Sequence, residues 1–149
     1  MAITLKTPAD IEKLRISGRM AAEVLAMIAD HVRSGVTTDE LDAICNRFIV
    51  NELKAVPANV GYMGFPKTIC ASVNHVVCHG IPGPKELKDI DIINIERGVR
   101  GHTAIARRLD RTTKDRSLSA QWEHMVAVTD DGFELLTPWP DGTGAYAAP

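Results

Sequence analysis

The pattern of apolar and polar residues is regular at the start of the chain. Apolar side chains recur every three or four positions over residues 11–28, which predicts an amphipathic helix that ends before Gly35. Thr7 as a capping residue, Pro8 in the first turn and Asp10 as an early acid mark where this helix begins. The sequence therefore indicates both the start of the helix and the face that it buries.

A second helix is predicted directly after the first. Thr37 and, three residues later, Glu40 have the spacing of a capping box, in which each side chain accepts a hydrogen bond from the backbone of the other residue. Apolar residues from Leu41 to Leu53 then share one helical face. We expect the two helices to pack against a common core.

The middle and the end of the chain carry strand patterns. A Gly- and Pro-bearing loop over residues 56–68 leads into β-branched, partly alternating residues 69–82, and residues 91–95 predict a short buried strand. Near the end, two apolar runs around Asp131 and Gly132 predict a hairpin. Helices combined with such strands predict an α/β or α+β fold.

One segment, residues 97–111, fits neither the helical nor the strand period. Its few apolar residues fall at no consistent spacing. Its five arginines are Arg97, Arg100, Arg107, Arg108 and Arg111. A basic binding patch and a solvated connector are the two interpretations, and we favour the connector because no aromatic residues accompany the charge.

The composition is that of an ordinary globular protein. The 149 residues suit one domain, with 45% hydrophobic and 24% charged residues. The net charge of -2 gives no electrostatic reason to expect nucleic acid or a membrane, and the chain begins without a signal-peptide pattern, so we expect a cytoplasmic protein. Cys45, Cys70 and Cys78 are odd in number and lack Cys-x-x-Cys spacing, so we expect buried free thiols.

Three side chains at predicted strand ends are candidates for chemistry. His79 follows a β-rich run and precedes a Gly/Pro turn, so its imidazole can enter a cleft and exchange protons, although a structural histidine is the alternative. Glu96 ends one apolar run and Glu123 begins another. Two carboxylates on adjacent buried strands would need a cation such as a divalent metal, whereas surface carboxylates at frayed strand ends remain an equal interpretation.

Several longer stretches resemble a known family. They read TPADIEKLRISGRMAAEVL, GVTTDELD, GYMGFPKTICASVNHVVCHGIP, KDIDIINI and TKDRSLSAQWEHMVAVTDDGFELLT. Together they resemble bacterial type I methionine aminopeptidase over residues 1–95 and 112–137. The resemblance implies a cytoplasmic enzyme that removes the initiator methionine from new proteins. It also implies a "pita-bread" α/β fold, with helices packed on a mainly antiparallel sheet that carries divalent metal ions (cobalt, manganese, iron or zinc).

The resemblance implies roles for five residues. Glu96 stands where the family has its first metal-binding aspartate, and Glu123 matches the last metal-binding glutamate. His79 matches the histidine of the CHGIP motif, which contacts substrate and helps to handle protons. Tyr62 and Phe65 match aromatic residues of the pocket for the methionine side chain. The implied partners are the N-terminal methionine of nascent peptides and the ribosome, with neither a membrane nor a specific nucleic acid.

The same resemblance shows which parts of the family pattern are missing. The second metal-binding aspartate, the metal-binding histidine and the next glutamate belong to HGDTS-like, GHGIG-like and TIEP-like motifs, which have no counterpart in this chain. His102 is rejected as a replacement because no acidic residue directly follows it and the GHGIG-like and TIEP-like motifs are absent from the chain. We expect impaired hydrolysis and weakened metal binding. The alternatives are a catalytically dead relative and a non-enzymatic interaction protein that docks through helices 7–33 and 37–53.

An internal deletion with a shifted reading frame accounts for both the irregular segment and the missing motifs. Asp and Glu codons share their first two bases, so a junction inside the codon of the first metal-binding aspartate can produce Glu96. The family sequence Pro-Asp-Gly-Trp-Thr-Val, read out of frame, can give the Arg-Arg-Leu-Asp-Arg of residues 107–111. The prediction is one incomplete domain, residues 1–149, made of an N-terminal part (1–95), a junction (96–111), a C-terminal part (112–137) and a tail (138–149).

Overall fold

The computed structural model describes residues 5–100, 111–112, 125–129 and 132–141. Predictions that concern other positions lie outside these described residues. They include Glu123, His102, the tip of the predicted hairpin at Asp131, and most of the arginine-rich segment and of the tail.

The first predicted helix is confirmed as α1, Pro8–Ala29. Its capping box is complete, because the Thr7 hydroxyl accepts a hydrogen bond from the Asp10 backbone while the Asp10 carboxylate accepts one from the Thr7 backbone. These bonds satisfy backbone N–H groups that have no partner within the helix. The chain leaves the helix at Ala29 and turns at Gly35, which has a φ of 86°.

The second predicted helix is confirmed as α2, Thr38–Arg47, with a complete capping box between Thr37 and Glu40. It continues into one turn of π-helix, Phe48–Glu52. The Leu53 N–H bonds the carbonyl five residues earlier, as this wider helical turn requires. The apolar pattern thus predicts the extent of the helix but not the change in its last turn.

The strands are short. They are β1 (Val56–Pro57), β2 (Cys70–Val73), β3 (Val76–Cys78), β4 (Ile93–Glu96), β5 (Val99–Arg100), β6 (Arg111–Thr112), β7 (Val126–Thr129) and β8 (Gly132–Leu135). Within the described residues the strands hydrogen-bond as β1 with β5, β2 with β4, β3 with β6, and β7 with β8. Each pair is antiparallel, as predicted, and β7–β8 is the predicted hairpin.

Four details of the strand predictions differ from the structure. The segment 97–111, predicted to be irregular, contains β5 and the first residue of β6, because its two ends pair with β1 and β3. Residues 69–82 contain two strands, β2 and β3, because the chain turns at Asn74, which has a φ of 56°. Residues 56–68, predicted as loop, include the short strand β1. The predicted buried strand is β4, whose residues are only half-buried because Asn94 and Glu96 place polar side chains on one of its faces.

The core lies between the two helices and the β2–β4 pair. Ile93 and Ile95 of β4 pack against it from the strand side. Its residues with at most 1% exposure are Val24, Ile28, Leu41, Cys45, Ile49 and Ile69.

The three cysteines all lie within the described residues, and none of them forms a disulfide bond. Cys45 and Cys70 are buried as predicted, whereas Cys78 is partly exposed, so the prediction of a buried thiol is wrong at that position. Burial raises the pKa of the Cys45 thiol to about 12, which keeps it protonated and unreactive at neutral pH.

The β7–β8 hairpin packs on α1. The Arg15 guanidinium donates to both carboxylate oxygens of Glu134, at 2.6 and 2.7 Å. Gly18 allows the close approach, since a Cβ atom at this position would lie 1.8 Å from the Leu136 carbonyl oxygen. Among the described helices none is long and apolar enough to cross a membrane.

Candidate functional site

His79 and Glu96 lie next to each other at the ends of β3 and β4. The His79 Nε2 atom is 3.7 Å from the nearer Glu96 carboxylate oxygen. Both side chains are partly exposed, at 39% for His79 and 28% for Glu96. His79 has a φ of 57°, an uncommon conformation for a residue with a side chain. The structure therefore brings together two of the predicted site residues at a surface that solvent can reach.

Strand β2 holds both members of this pair in place. Its first residue, Cys70, is paired in register with Glu96. The next residue, Ala71, donates its N–H to the Gly80 carbonyl at 2.7 Å, and the Ser72 hydroxyl accepts a hydrogen bond from the Gly80 N–H at 3.1 Å. A Cβ atom on Gly80 would lie 2.3 Å from the Ala71 carbonyl oxygen. The backbone directly after His79 is thus fixed on β2, and only glycine fits there.

Glu96 lies on the polar face of β4. Successive side chains of a strand point to opposite faces, so Asn94 and Glu96 share one face and Ile93 and Ile95 the other. The Asn94 amide donates to the Glu96 carboxylate at 3.3 Å. Because Ile93 and Ile95 contact the core, Glu96 lies on the side of the strand pair that faces away from the core.

Tyr62 and Phe65 lie together in a tight turn, which we call the aromatic turn (residues 59–65). The Gly61 N–H donates to the Phe65 carbonyl at 2.9 Å, and the Phe65 N–H donates to the Tyr62 carbonyl at 2.9 Å. Phe65 is 2% exposed, whereas Tyr62 is half-buried. The Asn59 amide donates to the Cys70 sulfur at 3.8 Å, which connects the turn to the residue paired with Glu96.

The described residues do not fit the two-metal centre that the resemblance implies. Within residues 5–100 and the shorter described stretches, no group of three or more His, Cys, Asp or Glu side chains could hold a metal ion. A dinuclear centre needs several ligands of defined number and geometry, and Glu96 with His79 supplies too few. Glu123, the other predicted metal ligand, lies outside the described residues.

One unusual residue next to the site was not recognised from the sequence. Arg97 follows Glu96, and the alternation of the strand places it on the same face as Ile93 and Ile95. Its positive charge acts to lower the pKa of the Cys45 thiol in the core, against the larger effect of burial. Burial lowers the pKa of its guanidinium to about 10, and its buried Nε atom finds no hydrogen-bond acceptor among the described residues. Strand alternation beyond Glu96 could have identified this position as inward-facing.

Helices on one side of antiparallel strands, with a histidine and a carboxylate on the other side, form part of a metallopeptidase-like architecture. The family model described as "Metallopeptidase family M24" matches residues 12–115. Since this match spans more than half of the chain, the protein belongs to metallopeptidase family M24. Membership in this family implies the use of divalent metal by its complete members.

Individual relatives agree with this assignment. The chain is 62% identical over 97 residues to methionine aminopeptidase of Escherichia coli strain K12, covering 64% of this chain and 37% of the relative. It is 51% identical over 96 residues to methionine aminopeptidase of Rickettsia prowazekii, with the same coverage of 64% and 37%. The chain thus spans little more than a third of the length of these relatives.

Solved structures confirm the fold class. The crystal structure of methionine aminopeptidase from Rickettsia prowazekii has a TM-score of 0.79 and 27% identity, covering 91% of this chain and 100% of that one. The enzyme from Thermotoga maritima has a TM-score of 0.62 and 31% identity, covering 66% and 39%. The resemblance to bacterial type I methionine aminopeptidase is confirmed, and the fold is a truncated form of the pita-bread architecture.

Proposed function

We propose that this chain is an impaired methionine aminopeptidase that keeps the peptide-recognition side of the site and lacks an adequate metal-binding side. The observation that carries the proposal is the 3.7 Å His79–Glu96 pair, which belongs to no group of three or more His, Cys, Asp or Glu side chains that could hold a metal ion within the described residues. The identity to proteins named methionine aminopeptidase supports an N-terminal methionine as the recognised group.

The retained residues can recognise a peptide without a metal-dependent step. The partly exposed His79 imidazole can exchange hydrogen bonds and protons with a peptide amide near neutral pH. The half-buried Tyr62 ring offers aromatic surface, which suits a thioether side chain because sulfur makes favourable contacts with rings, and the buried Phe65 ring lies in the same turn. In this proposal the chain acts in the cytoplasm, and its partners are nascent peptides at the ribosome. A divalent metal ion (cobalt, manganese, iron or zinc) binds only weakly.

Hydrolysis of the peptide Met-Ala-Ser tests the proposal. Release of methionine is measured with each of the four metals for the wild-type chain and for His79→Ala. We expect no release above the His79→Ala background, because two ligands leave most coordination positions to water. Chelator-sensitive turnover that Glu96→Ala or Glu123→Ala abolishes would show that a working metal centre exists. Absence of binding to any methionine compound would refute the recognition half of the proposal.

A further inference from the structure

Polar side chains on one face of α2 bind three consecutive residues that follow the aromatic turn. The Asp39 carboxylate pairs with the Lys67 ammonium at 2.5 Å, and the Asn46 amide donates to the Thr68 hydroxyl at 2.7 Å. Between them the Asp42 carboxylate accepts from two backbone N–H groups. Asp39, Asp42 and Asn46 are spaced three and four residues apart, so they lie along one side of the helix.

Asp42 is the buried member of this set. One of its oxygens accepts hydrogen bonds from the Thr68 N–H at 2.7 Å and from the Ile69 N–H at 2.9 Å. Asp42 is 8% exposed, Thr68 1% and Ile69 fully buried. Burial raises the pKa of the Asp42 carboxyl, while the two backbone N–H groups act in the opposite direction. Buried backbone N–H groups need an acceptor, and water cannot replace this one without opening the core.

The aromatic turn is anchored on both sides by these contacts. On one side the Asn59 amide contacts the Cys70 sulfur. On the other side only Pro66 and Lys67 separate Phe65 from the residues that Asp42 binds. The backbone bond from Gly61 to Phe65 closes the turn itself. A displacement of Thr68 should therefore also displace Phe65, because the two intervening residues allow little independent movement.

We propose that Asp42 is a positioning residue for the peptide-recognition site, because it fixes the aromatic turn relative to α2 and to β2. This inference rests on the proposed function. Asp42 touches no substrate in this role, and it acts through the backbone of Thr68 and Ile69. The neighbouring Lys67–Asp39 pair is partly exposed and contributes less, since exposed ion pairs are weak.

The test compares three variants in the full chain. Asp42→Leu removes the acceptor, and Asp42→Asn keeps one carbonyl oxygen that can accept both N–H groups. Ile28→Val lowers stability in the core at a residue of α1, outside the aromatic turn. Ring chemical shifts of Tyr62 and Phe65 and hydrogen exchange at Thr68 and Ile69 report the turn in the free protein. The dissociation constant for methioninamide reports recognition.

We expect Asp42→Leu to shift both rings and to speed exchange at Thr68 and Ile69. Binding of methioninamide should weaken about tenfold, because returning the displaced turn to its binding conformation then costs about as much as one hydrogen bond. Asp42→Asn and Ile28→Val should keep the wild-type shifts and affinity. If Asp42→Leu does not fold, Asp42→Ser, whose hydroxyl is too short to reach both N–H groups, takes its place.

The possible outcomes separate the two proposals. If the Tyr62 and Phe65 chemical shifts of Asp42→Leu equal those of the wild type, the positioning role is overturned. It is also overturned if Ile28→Val changes these shifts and the methioninamide affinity as much as Asp42→Leu does. A wild-type chain that binds no methioninamide would refute the proposed function, and the ring shifts would then still decide whether Asp42 positions the turn.

Discussion

The helix layer and the C-terminal hairpin differ in how they are held. Val24, Leu41 and Ile69 are fully buried between α1, α2 and β2, whereas Val126 and Val128 of the hairpin are 47% and 87% exposed. The contacts between the hairpin region and α1 include one bidentate ion pair, one close backbone approach at Gly18 and the buried side chain of Leu136. Burial of apolar surface is the larger source of stability, so the hairpin should separate from α1 at lower cost than the helix layer unfolds.

Truncation of a core side chain should have the largest effect. Leu41→Ala leaves a cavity between α2 and the strands, and we expect it to lower the free energy of unfolding by about 2–5 kcal/mol. Val128→Ala is the matched control, and it should change this free energy by no more than about 0.5 kcal/mol because the side chain is exposed. Urea unfolding followed by circular dichroism measures both. Equal decreases in the free energy of unfolding for Leu41→Ala and Val128→Ala would show that the hairpin contributes as much stability as the helix layer.

A smaller effect is expected where the hairpin meets α1. In Gly18→Ala the new methyl group would overlap the Leu136 carbonyl, so the hairpin must move away from the helix, at a cost of about 1–3 kcal/mol. Gly83→Ala is the control, because a Cβ atom there meets no atom within 4 Å. Hydrogen exchange should increase in β7 and β8 of Gly18→Ala and stay unchanged in β2. Faster exchange in β2 would mean that hairpin and core unfold as one unit.

Local signals in the sequence predicted the two long helices and the hairpin but not the contacts between them. Each capping pair, at Thr7 and at Thr37, joins residues three positions apart, and the hairpin pairs Thr129 with Gly132 at the same separation, so each can be recognised without knowledge of the fold. Asp42 binds residues 26 and 27 positions away, and no local pattern marks such a partner. Arg97 was assigned to an irregular segment, although the alternation of β4 places it on the core side.

The candidate site was predicted from family motifs rather than from periodicity. Spacing alone left His79 and Glu96 open between structural and functional roles, and the fold then brought them within 3.7 Å. The packing of Tyr62 and Phe65 in one turn depends on glycines with positive φ at positions 61 and 64, which a loop assignment does not specify. The domain division, the roles assigned to site residues and the reading-frame hypothesis stay predictions.

The smallest effect should appear in the pH dependence of the Arg15–Glu134 contact. Hydrogen bonds from Arg15 lower the pKa of Glu134 below its ordinary value of 4.5. The folded state therefore binds this proton less tightly than the unfolded state, so the contact contributes stability above pH 4.5 and loses it as the pH falls through the lowered pKa. Glu134→Gln removes the titrating group and most of the attraction to Arg15.

The difference in unfolding free energy between wild type and Glu134→Gln should thus be positive at about pH 7 and shrink as the pH falls below the ordinary pKa of 4.5 and through the lowered one. It should also shrink as salt is added, because the pair is partly exposed and its attraction is screened. Glu12→Gln, which removes the second partner of the same arginine within α1, is the control. It should leave hydrogen exchange in β7 and β8 unchanged, whereas Glu134→Gln should raise it. The same exchange in both variants would mean that the ion pair does not hold the hairpin on α1, and that the packing at Gly18 and Leu136 does so.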